Sequence, residues 1–222
     1  MFNLTTRRDD VIRWHGVDID LNLAFDNVLL LFELFGDKSV SPYMKYDIAI
    51  EMLVINHAIL KQLNGERIFE LIKDILREKL NIDLDKKAPE PSEEDANDPF
   101  NVPIPTYDFT EDAEYIYASF LMDYNMDLFE QQGKLSWYKF IALFNNLSDE
   151  TPMGKALHYR TCSVPKSDKH NADEIKRIRS MKEKYMLKSA KPLIEARQAA
   201  IYAKQLEARK KAYKEQQDRN KK

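Results

Sequence analysis

Glycine is scarce in this chain: 5 of 222 residues, at Gly16, Gly36, Gly65, Gly133 and Gly154. Glycines so dispersed assemble neither a P-loop nor a dinucleotide-binding loop, which disfavours nucleotide chemistry. Their scarcity also argues against a turn-rich all-β fold and favours helices. Cysteine occurs once, at Cys162, so an internal disulfide framework and a multi-thiolate metal site are excluded, and a reducing compartment fits. The longest unbroken apolar runs, Val28 to Phe32 among them, fall far short of the roughly 20 residues of a membrane span. Residues Met1 to Asp10 lack the apolar stretch of a secretory signal, and a cytoplasmic protein is expected.

Charge is plentiful but unevenly placed. Residues 166–222 hold 18 Lys+Arg against 8 Asp+Glu, and residues 1–165 hold 16 against 29, so the net charge of -3 conceals parts of +10 and -13. Such a split points to a basic arm with a role of its own, or one that meets an acidic surface. Composition divides the chain into four: residues 1–82, an N-terminal hairpin and helices; 83–106, an acidic proline-rich linker or loop; 107–165, an aromatic-rich helical core segment; and 166–222, a basic helical arm. The expected fold is mainly α: a multi-helix domain with a small N-terminal β-hairpin and a long basic C-terminal helical arm.

The periodicities support that outline. Val11 to Trp14 and Val17 to Leu21 alternate in polarity around His15-Gly16, the pattern of a short hairpin. Leu23 to Phe35 is dense enough in apolar residues for a buried helix, with Gly36 as its expected terminator. Ser41-Pro42 starts a helix whose Met44, Ile48, Met52, Ile55, Ile59 and Leu63 would form one buried stripe. After Gly65, the residues Ile68, Leu71, Ile72, Ile75, Leu76 and Leu80 form another, which suggests a helical hairpin. Asp108 and Glu111 resemble a capping box ahead of a helix that places Ala113, Ile116, Tyr117, Phe120, Leu121 and Tyr124 on one face. Gly133 lies in the following turn, and Ser136 is expected to cap a helix presenting Trp137, Phe140, Ile141 and Phe144. Thr151-Pro152 begins a short helix to about Tyr159; Ala172 to Leu187 and Pro192 to about Arg219 form two basic ones.

No catalytic, cofactor-binding or metal-binding residues are assigned. Asp123, Asn125 and Asp127 match the first three side-chain ligands of a calcium loop, but Leu128 replaces its glycine and Lys134 its bidentate glutamate. His158 and Cys162 are one helical turn apart, yet two ligands do not make a zinc site, and His15, His57 and His170 are scattered. The arm, with Lys176, Arg177, Arg179, Lys182 and Lys184 among its cations, could neutralise phosphates. It lacks base-reading elements, and the acidic remainder of the chain would repel a polyanion, so nucleic-acid binding is disfavoured. A binding protein is favoured over an enzyme.

Eleven of the 24 aromatic residues lie in residues 108–160. Side chains of this size form either the best-packed part of a fold or a contact surface. Helical spacing assigns Phe120, Trp137, Phe140 and Phe144 to the protein's own core, leaving Tyr138 and the basic arm for partner contacts. The run Tyr107-Asp108-Phe109, Asp112 to Phe120, Asp123-Tyr124, Leu135 to Phe140 and Tyr159-Arg160-Thr161 resembles the gene-product-fifteen family of phages and prophages of Gram-positive hosts. The likeness is best over residues 107–188 and looser over about 11–82, and Asp112, Tyr115, Trp137, Phe140 and Arg160 are among the shared positions.

That resemblance implies a tail-morphogenesis protein, encoded just before the tape-measure protein, that acts without catalysis as a tail assembly chaperone in the bacterial host cytoplasm. Its implied partners are the tape-measure protein and the tail-tube protein, with self-association a further option and no membrane partner. The alternative is a minor structural tail or connector component of the virion. Helix-in-groove recognition is a physical mechanism compatible with the chaperone role.

Overall fold

The computed structural model describes residues 10–82, 105–165, 168 and 170–219. The acidic linker expected over 83–106 lies outside them except for its last two residues. Among the described residues the chain is mainly helical, with one two-stranded sheet, as expected from the sequence. It forms two compact units, one from residues 10–82 and Phe120–Leu147, the other from residues 105–119 and 148–219.

The first unit opens with the hairpin. Strands β1 (Val11–Trp14) and β2 (Val17–Asp20) pair antiparallel with Ile12 opposite Ile19, both buried. His15 and Gly16 take φ of 48° and 84° at the turn, the paired positive values that suit a tight two-residue connection between twisted strands. Trp14 Nε1 donates to Asp74 Oδ2 at 3.1 Å, tying the hairpin to a helix further along the chain.

Helix α1 (Phe25–Gly36) buries Phe25, Val28 and Leu31. Gly36 is its last residue and has no left-handed φ. The helix closes instead at Asp37, whose N–H reaches the Glu33 and Leu34 carbonyls and whose carboxylate accepts from Ser39 N at 2.7 Å. That hydrogen bond to the Ser39 N–H, favouring the ionised form, holds the Asp37 carboxyl below its ordinary range.

Helix α2 (Pro42–Leu53) starts as the sequence predicts, with Ser41 Oγ accepting from Met44 N and proline in the first turn. The single long stripe from Met44 to Leu63 does not form. Val54 turns extended and bridges Leu21, while Asn22 N donates to Leu53 O at 2.8 Å and Ile55 N to Asp20 O at 3.0 Å. The backbone thus trades helical hydrogen bonds for pairing with the end of the hairpin. Asn27 Nδ2 fastens the break, donating to Asn22 O and Met52 O, both at 2.9 Å. Asn56 then caps the short α3 (His57–Leu60), and Asn64 caps α4 (Gly65–Lys79), accepting from Arg67 N at 3.0 Å. Helix α4 buries Leu71, Ile72, Ile75 and Leu76 as expected and packs against α2.

The remaining core of this unit is aromatic. Helix α5 (Ala113–Tyr124) supplies Phe120, and α6 (Trp137–Phe144) supplies Phe140, stacked on Phe25 at 4.9 Å and on Phe120 at 5.2 Å between ring centroids. Trp137 and Phe144 are buried beside it, which realises the core role read from spacing. Ser136 does not cap α6 with its side chain; its Oγ is buried with no hydrogen-bond partner among the described residues. Backbone pairing fixes that helix start instead, with Trp137 N donating to Leu23 O at 2.7 Å and Phe25 N to Leu135 O at 2.9 Å.

The second unit contains the N-terminal part of α5, then α7 (Pro152–Thr161), α8 (Ala172–Lys184) and α9 (Lys191–Arg219). The expected buried face of α5 is displaced: Asp112, Ile116, Ser119 and Phe120 are buried, whereas Ala113 and Leu121 are exposed. Ser119 explains the displacement, because its Oγ donates to Tyr115 O at 2.6 Å and accepts from Met153 N at 2.9 Å. Thr151 caps α7 through Gly154 N at 3.1 Å, and α7 packs on α8. Helix α8 stops at Lys184, short of the predicted Leu187, which is buried in the turn that follows.

Candidate functional site

Two surfaces, one in each unit, present chemistry that the core does not use. The first is the outer face of α2. Tyr43, Met44 and Ile48 are 85%, 57% and 38% exposed, the half-buried Met52 continues the row, and Ile55, 61% exposed, lies just past the end of the helix. Met44, Ile48 and Met52 fall four residues apart, so they line one side of the helix. The exposed carboxylates of Asp47 and Glu51 lie among them. Met44, Ile48, Met52 and Ile55 belong to the stripe that helical spacing places in the core; Tyr43 does not. The break at Val54 instead gives the burial to Ala49, Ile50, Leu53 and Val54. Exposed apolar patches edged by charge mark interaction surfaces, and methionine adapts to varied partners.

The second surface is organised by Asp112 and Arg160. Arg160 Nη1 and Nη2 donate to Asp112 Oδ2 and Oδ1 at 2.6 and 2.7 Å, while its Nε donates to Tyr185 O at 2.6 Å and Nη1 also to Thr106 O at 3.0 Å. One planar guanidinium thereby joins the chain before α5, the end of α7 and the end of α8. Tyr185 stacks on Tyr159 with ring centroids 5.6 Å apart and lies 5.9 Å from the Tyr115 ring.

The expected capping box is rearranged around this pair. Asp108 Oδ1 accepts from Thr110 N and Glu111 N as a cap should, but Asp108 N donates to Asp112 Oδ2, at 3.0 Å, rather than to Glu111. Glu111 instead accepts from Lys188 N at 2.7 Å and Ser189 N at 2.9 Å, in the turn just before α9. Desolvation pushes the Glu111 carboxyl up. The hydrogen bonds from Ser189 and Lys188, together with the Lys188 charge, outweigh it and leave the group below its ordinary value.

Beside this framework lies a groove of about 710 Å³. Val164, Met186, Leu187, Ala190 and Ile194 give it aliphatic walls; Arg179 and Lys182 bring positive charge. A contiguous hollow of about 510 Å³ adds Lys188 and Lys191, with Glu183 and Glu195. Beyond the groove α9 is largely exposed, including Tyr202, Leu206 and Tyr213.

The residues of the partial calcium-loop match and the His158–Cys162 pair have local roles. Asn125, with φ of 48°, ends α5, and Asp127 Oδ1 accepts from Phe129 N at 2.9 Å. Cys162 closes α7, its thiol directed at Tyr159 O at 3.6 Å, and the His158 ring meets Tyr159 edge-on. Of the positions shared with the family that the sequence resembles, Asp112 and Arg160 pair, Tyr115 joins the Tyr185 cluster, and Trp137 and Phe140 stack in the first unit. Tyr138 is half-buried.

Among the described residues no helix is long and apolar enough to cross a membrane. No curated protein and no solved structure matches the chain. The model of the family described as Bacteriophage Gp15 protein matches residues 8–187, most of the sequence and both units. The chain therefore belongs to the bacteriophage Gp15 family, a family of phage structural and morphogenesis proteins.

Proposed function

We propose that this protein is a tail assembly chaperone or scaffold that binds the phage tape-measure protein in the host cytoplasm and assists assembly of the tail tube around it. The observation that carries this reading is the exposed apolar face of α2, Tyr43, Met44 and Ile48, with Ile55 exposed just past the helix end. A chaperone of a long helical client needs apolar surface outside its own core, so that client side chains exchange water for protein contact. Asp47 and Glu51 beside the stripe oppose pairing of two copies through the same face, because like charges would meet. Membership of a phage morphogenesis family agrees with this role.

Co-expression with the tape-measure protein of the same phage tests it. The expected result is a soluble complex that co-purifies; unchanged aggregation of the tape-measure protein without co-purification would contradict it. Mass spectrometry of purified virions distinguishes the alternative, since a stoichiometric amount of this chain in mature tails would make it a structural tail or connector component.

A further inference from the structure

We infer that the groove beside the α8–α9 turn is a second binding site, one that takes an amphipathic helix of another protein with aliphatic residues on one side and carboxylates along its flanks. The inference rests on residues remote in sequence from the α2 stripe and stands whether or not that stripe binds a tape-measure protein.

The groove's chemistry defines the ligand. Val164, Met186, Leu187, Ala190 and Ile194 offer aliphatic contacts and no aromatic ring, so they suit leucine-like side chains and give nucleobases nothing to stack on. Arg160 also lines the groove, but its charge is already matched by Asp112. Among the described residues Arg179 and Lys191 form no ion pair, and both are exposed. Among the described residues no carboxylate lines the main groove, so an anionic flank would meet Arg179 and Lys182 there, while Lys191 stands in the contiguous hollow that also holds Glu183 and Glu195.

The walls are also held in place before any ligand arrives. Arg160 fixes the Tyr185 and Thr106 carbonyls, Lys182 Nζ donates to Arg160 O at 3.2 Å, and Glu111 pins Lys188 and Ser189. A preformed groove spares a ligand the cost of ordering it. Arg179, Lys191 and Ile194 take no part in that framework. Binding can therefore be tested at these positions without cutting the structure that shapes the groove.

The experiment uses the full chain and a labelled designed helix of about 18 residues, long enough to hold helical structure, with leucines at 3,4 spacing and glutamates on its flanks. Its controls are a twin with lysine for glutamate, a twin with serine for leucine, and single-stranded DNA. Fluorescence anisotropy at low salt should show the glutamate peptide binding at least about tenfold more tightly than either twin, a difference of about 1.4 kcal/mol. Arg179→Glu with Lys191→Glu should abolish or invert the preference for glutamate over lysine, and Ile194→Asp should abolish binding. Circular dichroism and melting temperature should match the parent, confirming that both variants fold.

Equal binding of the glutamate and lysine peptides, no binding of the glutamate peptide, or a preference unchanged by charge reversal would overturn the inference. So would a dimer abolished by Ile194→Asp, which would assign the groove to a second copy. Tighter binding of DNA, lost on the same charge reversal, would assign it to nucleic acid and likewise overturn the inference. Solubility of the tape-measure protein enters none of these readouts, so the groove and the chaperone reading can fail separately.

Discussion

Arg160 grips Asp112 with two parallel hydrogen bonds of 2.6 and 2.7 Å, and the side chains are only 9% and 1% exposed. Removing one partner leaves a buried charge uncompensated, a loss of about 3–5 kcal/mol. Asp112→Ala and Arg160→Met should each lower the unfolding free energy by that order, measured by denaturant titration. Arg160→Lys should recover little, because a point-like ammonium cannot reproduce the planar fork or also reach Tyr185 and Thr106. The double variant Asp112→Leu/Arg160→Met should be less destabilised than the sum of its single changes.

Glu111 makes the start of α9 sensitive to acid. Its folded pKa lies below the ordinary glutamate value, so its contribution is complete above that ordinary value and fades as pH falls through the folded pKa. Amide exchange at Lys188 and Ser189, corrected for intrinsic rates, should therefore show local protection at neutral pH that diminishes on acidification below the ordinary glutamate range. Glu111→Gln should weaken that protection at neutral pH and remove the acid-dependent change.

Gly154 is required for lack of room, since no unusual φ is involved. A Cβ at this position would sit 2.9 Å from Asp149 Cα and closer still to the Ser148 carbonyl oxygen, both parts of the backbone that Thr151 anchors at the start of α7. Backbone cannot move aside as a flexible side chain would. Gly154→Ala should cost about 1–3 kcal/mol despite the better helix propensity of alanine, a loss visible in thermal melting.

Ser119→Ala separates a hydrogen-bond effect from a cavity effect. The hydroxyl is the acceptor for Met153 N–H in a buried setting, and a methyl group leaves that donor unpaired. The expected cost is about 1–3 kcal/mol. Ser119→Thr, which keeps the acceptor, should lose less if the added methyl is accommodated.

The elements easiest to read from sequence are those fixed by neighbours. His15-Gly16 between alternating segments gave the hairpin, and Ser41-Pro42 and Thr151-Pro152 gave two helix starts. Two helix ends depended on left-handed asparagines, Asn81 and Asn125, whose use is understandable in so glycine-poor a chain. The break in α2 is not local: it follows from Val54 pairing with Leu21, so a continuous helical period gave the wrong surface for Met44 and Ile48. Nor could spacing reveal that Glu111 would reach across 77 residues to Lys188, or Arg160 across 48 to Asp112. Sequence singled out the basic arm as a contact region, but not the aliphatic groove at its base.

The chaperone reading is tested most directly by co-expressing the tape-measure protein with this chain and with its Met44→Asp/Ile48→Asp variant, and measuring soluble, co-purifying tape-measure protein. Both positions are exposed, so the variant should retain stability to within about 1 kcal/mol. The parent chain should keep its client soluble, and the folded variant should lose most of that effect. A folded variant that solubilises the tape-measure protein as well as the parent does would contradict the chaperone reading.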